Sequence, residues 1–482
     1  MKKTAAALCI GTAGLVVLPL HGATAAQASP VTDFKVLHSF GNAPKDGWQP
    51  WGSPTLLNGR LWGRTTYGGS PRQSAVIWSM IPGKPKTYRI EHRFGRKVRY
   101  ATGGRWLDLA NPHHGWMRPG PDGRTLYGAA LFGGRGGQGG VFAYNTVTHR
   151  YRVLRGFSGI TPTNPTGSPT DAGNPHSNSV PVTVKSKNRK KHTILVGMSA
   201  FGGANGNGAL FRMGVDGRDF HVLHSFVRET GDQPHGFVIQ RGDVVYGMTR
   251  LGGITADEHK FPDKEQYKEY KKGNGVIFRL NLRTKKYQVI HSFSYAGPLA
   301  DPTLPGGVVD GAVPDHGGLT LRRGRLWGVT TQGGSNGGGI VFSVKPNGSS
   351  YTVHHSFGSP TAAGDQSQPH GTLMPGPDGQ LYALTSAGGS AQAGGVFSIN
   401  PKTGKYVNRY SFKGGARGAF GIDNPVVTRL SDGRVVLYGM TKLGGKVKSN
   451  LTPTPIASDW DPNEPERANG TIWQLILGRK KR

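Results

Sequence analysis

Residues 368–412 read QPHGTLMPGPDGQLYALTSAGGSAQAGGVFSINPKTGKYVNRYSF. Four short runs in this stretch are rich in β-branched and aromatic residues, and Gly, Pro and Asp turns separate them, which predicts four antiparallel strands. Repeats of roughly 40–50 residues with four strands each are typical of the blades of a β-propeller. The number of copies of this stretch therefore decides the architecture.

A pair of glycines marks the same position in every copy of the repeat. The chain has seven such pairs, at Gly68-Gly69, Gly133-Gly134, Gly202-Gly203, Gly252-Gly253, Gly333-Gly334, Gly388-Gly389 and Gly444-Gly445. A strand with a large side chain precedes most of the pairs, and a Val-Phe-like run follows each of them. The sequence therefore predicts an all-β fold, a seven-bladed β-propeller of four-stranded blades.

The fourth run of each repeat ends in His-Ser-Phe or a relative of it, and this run is out of phase with the others by one copy. Its first occurrence, residues 34–40, precedes any first strand, whereas the last repeat ends near residue 477 without a fourth run. We therefore expect the N-terminal strand (34–40) to complete the last blade and close the ring, which removes an open sheet edge. An open solenoid would need a cap at each end, and none is visible in the sequence.

These boundaries divide the chain into a leader, one propeller domain and a tail. The predicted propeller covers residues 31–478, with blades at approximately 48–95, 111–158, 174–227, 233–294, 313–358, 368–413 and 423–478 plus 34–40; residues 479–482 form a basic tail. Residues 1–28 combine a Lys-Lys start, an apolar run and a cluster of small residues, which predicts a signal peptide. A membrane anchor is the alternative, but the apolar run is short and ends at His21. We expect a secreted or periplasmic protein.

The composition limits how the protein can be stabilised and which partners it can bind. The only cysteine, Cys9, lies in the leader, so the mature chain has no disulfide and depends on packing and ring closure. Lys plus Arg outnumber Asp plus Glu by 59 to 27, giving a formal net charge of +32. This surplus favours a polyanionic partner, such as an acidic polysaccharide, although an acidic habitat would also select against carboxylates. There is no specific nucleic-acid motif and no later membrane-spanning run, and we expect a monomer.

Three sequence patterns of the repeat also resemble a known family. LYG-x-T-x-x-GG, G-x-VF and Y-x-VLHSF are similar to the GloVer-type tandem repeats of secreted bacterial proteins, and the resemblance covers essentially the whole mature chain. It implies a propeller-like repeat fold and export. It implies no particular chemistry, so the function has to be argued from the residues themselves.

The two faces of the predicted disc differ in their loops. Tight Gly turns join strands one and two, and strands three and four, and such turns leave little room for a site. The opposite face receives the insertions at 254–272 and 446–468 and the long connections at 98–110, 159–173 and 296–312. We call it the loop face, and the other the turn face. Binding surfaces usually lie on long loops carried by a rigid scaffold, so the sequence favours the loop face.

The connections between blades carry a recurrent proline motif. Each predicted blade begins at a proline, namely Pro50, Pro112, Pro175, Pro234, Pro314, Pro369 or Pro425. An aspartate precedes the proline, four residues ahead in five blades and two ahead in the blades of Asp232 and Asp423, and we expect it to accept backbone N–H groups in the turn. A histidine follows the proline in five blades, so imidazoles should form a partial ring at the mouth of the axial channel.

The histidine ring is the strongest candidate site in the sequence. We predict His176, His235 and His370 as catalytic residues and as a metal set for Zn²⁺, Mn²⁺ or Ca²⁺, since imidazole is both a metal ligand and a general base. The predicted ligand-binding residues are His113, His114, His316, Gln233, Gln368, Trp51, Tyr67, Arg250 and Lys442. The alternative is that each ring histidine bonds the loop of the next blade. A second histidine set, in the His-Ser-Phe runs, is predicted to be structural: His38, His92, His224, His291 and His355.

The sequence predicts an exported propeller that engages an acidic polymer, an anionic polysaccharide, through the basic, histidine-rich loop face at the axial channel. As an enzyme it would be a polysaccharide lyase that cleaves a uronate-containing glycan by β-elimination, which needs a cation to neutralise the carboxylate and a base to remove the adjacent proton. The alternative is a non-catalytic propeller that interacts with the cell envelope or with another protein and has no ligand chemistry. The sequence has no nucleophile elbow, no P-loop and no cysteine cluster, so other common chemistries are not indicated.

Overall fold

The computed structural model describes residues 31–41, 46–69, 75–185, 188, 190–253, 273–294, 310–359, 364–446 and 469–478. The predicted signal peptide, the insertion at 254–272, nearly all of the insertion at 446–468, most of the 296–312 connection and the basic tail lie outside these residues. Within them the chain is all-β, with two short 3₁₀ turns at Pro85–Thr87 and Gly415–Arg417. No described helix is long and apolar enough to cross a membrane.

Seven four-stranded antiparallel blades form the propeller, each running from an inner strand at the axis to an outer strand. The strands of blades one to four are Thr55–Leu57, Arg60–Arg64, Val76–Met80 and Arg89–Arg93; Arg118–Pro119, Thr125–Ala130, Gly140–Asn145 and Tyr151–Gly156; Val180–Lys185, Lys191–Ser199, Ala209–Gly214 and His221–Ser225; and Ile239–Arg241, Val244–Thr249, Val276–Asn281 and Tyr287–Ser292. Those of blades five to seven are Thr320–Arg322, Arg325–Thr330, Ile340–Val344 and Thr352–Ser356; Gln366–Pro375, Leu381–Gly388, Gly395–Ile399 and Tyr406–Ser411; and Val426–Arg429, Val435–Leu443, Thr471–Leu477 and Val31–Ser39.

Short ladders lie beside several blades on the loop face. In most blades they pair the residues that lead into the inner strand with the Gly-pair segment of the same blade. These pairs are Gly47–Trp48 with Tyr67–Gly68, Leu109–Ala110 with Phe132–Gly133, Ala172–Gly173 with Phe201–Gly202, Gly311–Ala312 with Gln332–Gly333, and Ala419–Gly421 with Val435–Leu443. A separate hairpin joins Lys97–Arg99 to Arg105–Leu107. The ladders fix where each connection turns toward the axis.

The N-terminal strand closes the ring, as predicted. Val31–Ser39 pairs antiparallel with Thr471–Leu477, placing Phe34 opposite Leu475 and Val36 opposite Trp473. The outermost strand of blade seven is thus the first strand of the chain, and no terminal sheet edge is left between blades seven and one.

The glycine of the LYG pattern is explained by packing within each blade. It lies in the second strand opposite the large aromatic residue of the third strand, as Gly63 lies opposite Trp78 and Gly439 opposite Trp473. A Cβ atom added to either glycine would come within 2.2 Å of the indole ring. These aromatic rings are fully buried, so the glycine provides the space that the core needs.

The second histidine set joins neighbouring blades, which confirms its structural assignment. His92 of blade one stacks on Tyr151 of blade two with ring centroids 3.7 Å apart, and both side chains contact Asp108, at 2.9 and 2.6 Å. The same carboxylate accepts the backbone N–H of Leu109 at 2.7 Å, as predicted for these aspartates. The equivalent stacks are His38 on Tyr88, His224 on Tyr287, His291 on Tyr351 and His355 on Tyr406.

Two seams between blades use other residues at the same positions. Between blades two and three, the Arg155 guanidinium lies 3.9 Å from the centre of the Phe220 ring. Between blades six and seven, Tyr410 stacks on Phe34 at 4.4 Å. Every seam thus pairs an aromatic side chain with a planar group, and the repeat preserves the contact where it changes the residues.

Candidate functional site

A left-handed residue turns each connection into its blade. Its φ angle lies between 48° and 59°, at Gln49, Asn111, Asn174, Gln233, Val313, Gln368 and Phe420. Such angles are uncommon outside glycine, and they reverse the chain so that the following side chains point toward the axis. In blade six, Gln368 donates its backbone N–H to the carbonyl of Gly338 in blade five, at 2.8 Å.

Blade seven departs from the predicted proline register. Phe420, not Asn424, occupies the left-handed position, and it donates its backbone N–H to Ala393 as Gln368 does to Gly338. Pro425 directly precedes the inner strand Val426–Arg429, as predicted, but it does not follow the left-handed residue as the prolines of the other blades do. The assignment of Asp423 to the connecting turn is wrong, since its carboxylate accepts the backbone N–H of Gly115 in blade two. The residue that follows Phe420 is Gly421, so the blade lacks the usual proline marker. Asp423 lies at the axis instead.

In each blade, the residues at two positions build the axial site, and both positions are counted from the left-handed residue. The rim position, two residues on, holds Trp51, His113, His176, His235, Asp315, His370 and Ile422. The axial position, three residues on, holds Gly52, His114, Ser177, Gly236, His316, Gly371 and Asp423. Only three blades place a large polar side chain at the axial position, and the three glycines at this position each lie against the backbone of the next blade.

The three axial side chains pack against one another in the centre of the disc. The rings of His114 and His316 stack with centroids 3.3 Å apart, and Nδ1 of His114 lies 3.7 Å from Oδ1 of Asp423. Oδ2 of Asp423 accepts the backbone N–H of Gly115 at 2.7 Å. His114 and Asp423 are fully buried. The backbone is equally tight, since a Cβ atom on Gly236 would lie 1.9 Å from a carbonyl oxygen of blade five.

At the rim, a carboxylate orients one imidazole. Nδ1 of His235 lies 2.9 Å from Oδ1 of Asp315, and Nε of Arg250 lies 3.4 Å from the other oxygen. In this contact Nδ1 of His235 carries the proton and donates it in a hydrogen bond to the carboxylate, so Nε2 is the basic nitrogen. His176 stacks on His235 at 3.9 Å, and Nδ1 of His316 faces Nε2 of His370 at 3.0 Å.

Burial lowers the pKa of several imidazoles in this cluster. It lowers the pKa of His113 to about 3, with the nearby charge of Lys442 as the next cause. Burial also holds the pKa of His114, His176 and His316 well below the usual histidine value. Neutral imidazoles in a group are good ligands for transition metals and poor partners for anions.

The pKa values of the axial carboxyl group, Asp423, and of the rim carboxyl group, Asp315, are shifted in opposite directions. Burial raises the pKa of Asp423 to about 8, outweighing the hydrogen bond from Gly115 and the charge of Arg64. Burial would also raise the pKa of Asp315, but His235 and Arg250 lower it overall. Asp315 is thus the more readily ionised carboxyl group, at the rim, whereas Asp423 at the axis keeps its proton to a higher pH.

The geometry divides the predicted histidines into two groups. His114, His316 and His370 place three ligand nitrogens within 4.8 Å of one another, and so do His176, His235 and His316. The predicted metal set of His176, His235 and His370 is therefore divided between two groups that share His316. His113 belongs to neither.

The other predicted ligand residues surround this cluster unevenly. Trp51 stacks on His113 with centroids 4.7 Å apart, and Nζ of Lys442 lies 3.6 Å from the centre of the Trp51 ring. Tyr67 stacks on Trp48 at the start of blade one. Gln368 accepts a hydrogen bond from Ser386 through its side chain, at 3.3 Å. Gln233 accepts the backbone N–H of Arg250 at 3.1 Å.

Arg64 is a central residue that the sequence argument missed. It is buried, and its guanidinium donates to the carbonyls of His113, His114, Gly115 and Ala129 and to the side chain of Asn178, at 2.9 to 3.2 Å. Burial lowers its pKa to about 10. The signal was present in the repeat, since the other blades have an apolar residue at this position.

A second candidate site lies on the turn face, between blades four and five. A cavity of about 660 Å³ opens there, lined by Arg241, Tyr246, Arg279, Arg323, Gly324, Arg325, Lys345, Pro346 and Asn347. Five of these described lining residues are cationic and none is acidic. The expectation that the tight turns leave little room holds within one blade, but the cavity forms between the turns of two neighbouring blades.

The repeats and the closed ring define a tandem-repeat β-propeller. The profile of the Gloeobacter/Verrucomicrobia repeat family matches residues 108–309 and 267–451, which together cover more than half of the chain. The protein belongs to this family.

The remaining comparisons give only weak similarities. No curated protein matches it. Among solved structures, it is similar to the tricorn protease, with 12% identity and a TM-score of 0.37 over 85% of this chain and 32% of that one. It is similar to the GH74 enzyme of Niastella koreensis, with 14% identity and a TM-score of 0.43 over 86% and 53%. A fungal AA5-family alcohol oxidase in complex with copper gives 11% identity and 0.42 over 93% and 76%.

The chain thus spans about a third of the tricorn protease and about half of the GH74 enzyme. At these levels of similarity none of the three supports an assignment of activity.

Proposed function

We propose that this is an exported protein that binds an acidic polysaccharide in the basic cavity between blades four and five. The observation that carries the proposal is the cavity itself, because five cationic side chains line it without a carboxylate among its described lining residues. Its volume of about 660 Å³ is in the usual range of ligand pockets. The net charge of +32 would draw a polyanion toward the protein from a distance.

The cavity combines fixed and adaptable cations. Arg279 is held by Gln288, whose Oε1 accepts two hydrogen bonds at 2.6 and 3.0 Å, and Arg325 donates to the Ser343 hydroxyl at 2.8 Å. Arg241, Arg323 and Lys345 are exposed. A planar guanidinium can bind a carboxylate with two parallel hydrogen bonds, so the fixed arginines would set the position of one uronate while the exposed cations follow the chain.

A polysaccharide fits the lining better than a nucleic acid. Proteins that bind single strands stack bases on exposed aromatic rings, whereas Tyr246, the only aromatic side chain among the described lining residues, is 5% exposed. The leader sequence also supports export to a compartment where acidic glycans are abundant. Cell fractionation with N-terminal sequencing tests this part: we expect protein outside the cytoplasm without its leader, and protein confined to the cytoplasm would contradict export.

Binding is tested with polygalacturonate and the triple variant Arg241→Ala, Arg323→Ala, Lys345→Ala. Exposed ion pairs contribute about 0.2–1 kcal/mol each, so we expect roughly threefold to a hundredfold weaker binding, and a shallower salt dependence. The matched control is Lys402→Ala, Lys405→Ala, Lys413→Ala, which removes three exposed charges from blade six.

A third arm removes Arg250 and Lys442 from the loop face. Equal losses of affinity in the cavity variant and the blade-six control would show that net charge alone explains the effect. A loss of affinity confined to the loop-face variant would show that the polysaccharide binds on the loop face. Either result overturns the cavity. Tighter binding of a DNA strand of equal charge would overturn the choice of polysaccharide.

One observation favours β-elimination on the loop face as a second candidate function. His235 is held by Asp315, which leaves its Nε2 as a base at the mouth of the channel, and Arg250 lies beside the same carboxylate. This arrangement would suit removal of a proton next to a uronate carboxyl. The test is the absorbance of unsaturated products from polygalacturonate, with and without chelator. Product formation that is unchanged in His235→Ala would exclude this base.

A further inference from the structure

The axial position contains polar atoms that lack partners. Both ring nitrogens of His114 and Oδ1 of Asp423 are buried, and none of them has a hydrogen-bond partner among the described residues. Nδ1 of His370 is in the same state. A buried polar group without a partner costs about 1–3 kcal/mol. Several such groups on neighbouring side chains at the axis indicate that a ligand binds there.

The distances at this spot suit a metal ion. Ligand nitrogens on a tetrahedral ion with bonds of about 2.0–2.1 Å lie roughly 3.3 Å apart. Nδ1 of His316 and Nε2 of His370 are 3.0 Å apart, and the same Nδ1 lies 3.3 Å from Oδ1 of Asp315. The ligand nitrogens of His114, His316 and His370 lie within 4.8 Å of one another. Oδ1 of Asp423 lies 3.7 Å from Nδ1 of His114.

We propose that the axis holds one divalent transition-metal ion, bound by His114, His316 and His370 with Asp423 as the fourth donor. Three imidazoles and one carboxylate are a donor set for Zn²⁺ and its neighbours in the transition series, whereas Ca²⁺ and Mg²⁺ prefer oxygen ligands. The four donors come from blades two, five, six and seven. The ion would therefore bind blades from opposite sides of the ring to one another, independently of any polysaccharide on the turn face.

The neighbouring group of His176, His235 and His316 is the competing site. It shares His316, and a neutral imidazole gives one lone pair to one ion, so the two groups cannot both be filled by separate ions with neutral ligands. The axial group is favoured because more of its buried polar atoms lack a partner. Both ring nitrogens of His114, Nδ1 of His370 and Oδ1 of Asp423 have none among the described residues, whereas the competing group has one such atom outside His316, Nδ1 of His176.

The experiment measures binding of Zn²⁺ and Co²⁺ to full-length protein freed of metal with chelator. We expect one ion per chain by calorimetry and a Co²⁺ spectrum with the strong visible bands of a tetrahedral site. The variants His114→Gln and His370→Gln should each weaken binding by at least roughly a hundredfold, since loss of even an outer partner of a metal site costs 10- to 100-fold.

Two neighbouring histidines supply matched controls. His113→Gln removes a buried imidazole that belongs to neither group, and His176→Gln removes a ligand of the competing group alone. Both variants should keep the affinity and the Co²⁺ spectrum of the parent. Loss of binding in His176→Gln with retention in His114→Gln would move the metal to the competing group and overturn the axial assignment, as would a parent protein that binds no metal.

A stability measurement covers the case in which a variant folds poorly. Ligands that bind the folded state raise the melting temperature by mass action. Zn²⁺ should therefore raise the melting temperature of the parent and of His113→Gln and leave that of Asp423→Asn nearly unchanged. An equal rise in all three proteins would show binding elsewhere and would contradict the proposal.

Discussion

Ring closure gives the most direct test of the fold, through the substitution Phe40→Ala. Phe40 follows the closing strand, is fully buried, and packs against Trp78 of blade one and against His38. Truncation of a buried Phe to Ala costs about 3–5 kcal/mol. If that cost falls on the closing strand alone, local opening becomes roughly a hundredfold to several thousandfold more frequent.

The matched control is Phe357→Ala in blade five. Phe357 is equally buried and has the same role in its blade, donating its backbone N–H to Gly339 as Phe40 does to Gly470. The strand that precedes it, Thr352–Ser356, continues into other parts of the ring at both ends. The two variants thus create similar cavities, and they differ in whether the strand next to the cavity can detach from the sheet without unfolding of the adjoining chain.

Amide hydrogen exchange read by mass spectrometry distinguishes the two variants. In Phe40→Ala we expect faster exchange in residues 31–39 and in their partner strand, 471–477, with little change in blade four. In Phe357→Ala we expect a lower unfolding midpoint in urea without selective exchange in residues 352–356. The same local acceleration in both variants would refute the view that the closing strand is the weakest element of the ring.

Three further predictions concern single residues. Burial would raise the pKa of Asp310, but its hydrogen bonds, the one from His291 foremost, lower this pKa overall in the folded protein. Ionised Asp310 therefore stabilises the protein above its unfolded pKa, and this stabilisation is lost as the pH falls through its folded pKa. The unfolding free energies of the parent and Asp310→Asn, measured in urea from neutral to acidic pH, should therefore converge in acid; a constant difference would contradict this. Arg64→Met leaves buried acceptors without donors and should lower stability by about 3–5 kcal/mol, measured by urea unfolding, whereas an unchanged midpoint would exclude the role given to the guanidinium. Gly236→Ala should cost about 1–3 kcal/mol by the same assay, because its Cβ would meet the Gly317 carbonyl oxygen at 1.9 Å, while wild-type stability would show that the axis can expand.

The repeat architecture was predictable because its signals are local. Each blade carries its own glycine pair, its own apolar runs and its own turn residues, and these patterns depend on contacts within one repeat. The closing strand was also predictable, since the His-Ser-Phe run at residues 38–40 has the pattern of an outer strand and no inner strand before it.

The axial register was not predictable, because it depends on contacts between blades. Pro425 resembles the prolines of the other blades, yet the backbone N–H that defines the register belongs to Phe420 and bonds blade six. A shift of a few residues moved Asp423 from a connecting turn to the centre of the disc. The axial position likewise depends on contacts with other blades, since a Cβ atom on Gly52, Gly236 or Gly371 would meet the backbone of the next blade.

The basic cavity was missed for a related reason. Arg241 and Arg323 each lie in or beside a short turn that looks closed when one blade is considered alone. The cavity exists only where the turns of two blades meet, and a single repeat contains no information about the width of the gap between it and the next.

The pairing of the first strand with the last imposes an order on biosynthesis. Residues 31–39 are synthesised before every other described strand, but their partner, residues 471–477, follows more than four hundred residues later. Until then the early strand has no partner and the unfinished ring keeps an open edge, which is a template for aggregation. A contact of such long sequence separation is also slow to form. The ring can therefore be completed only after residue 477 has been made, and residues 31–39 remain without their partner strand until then.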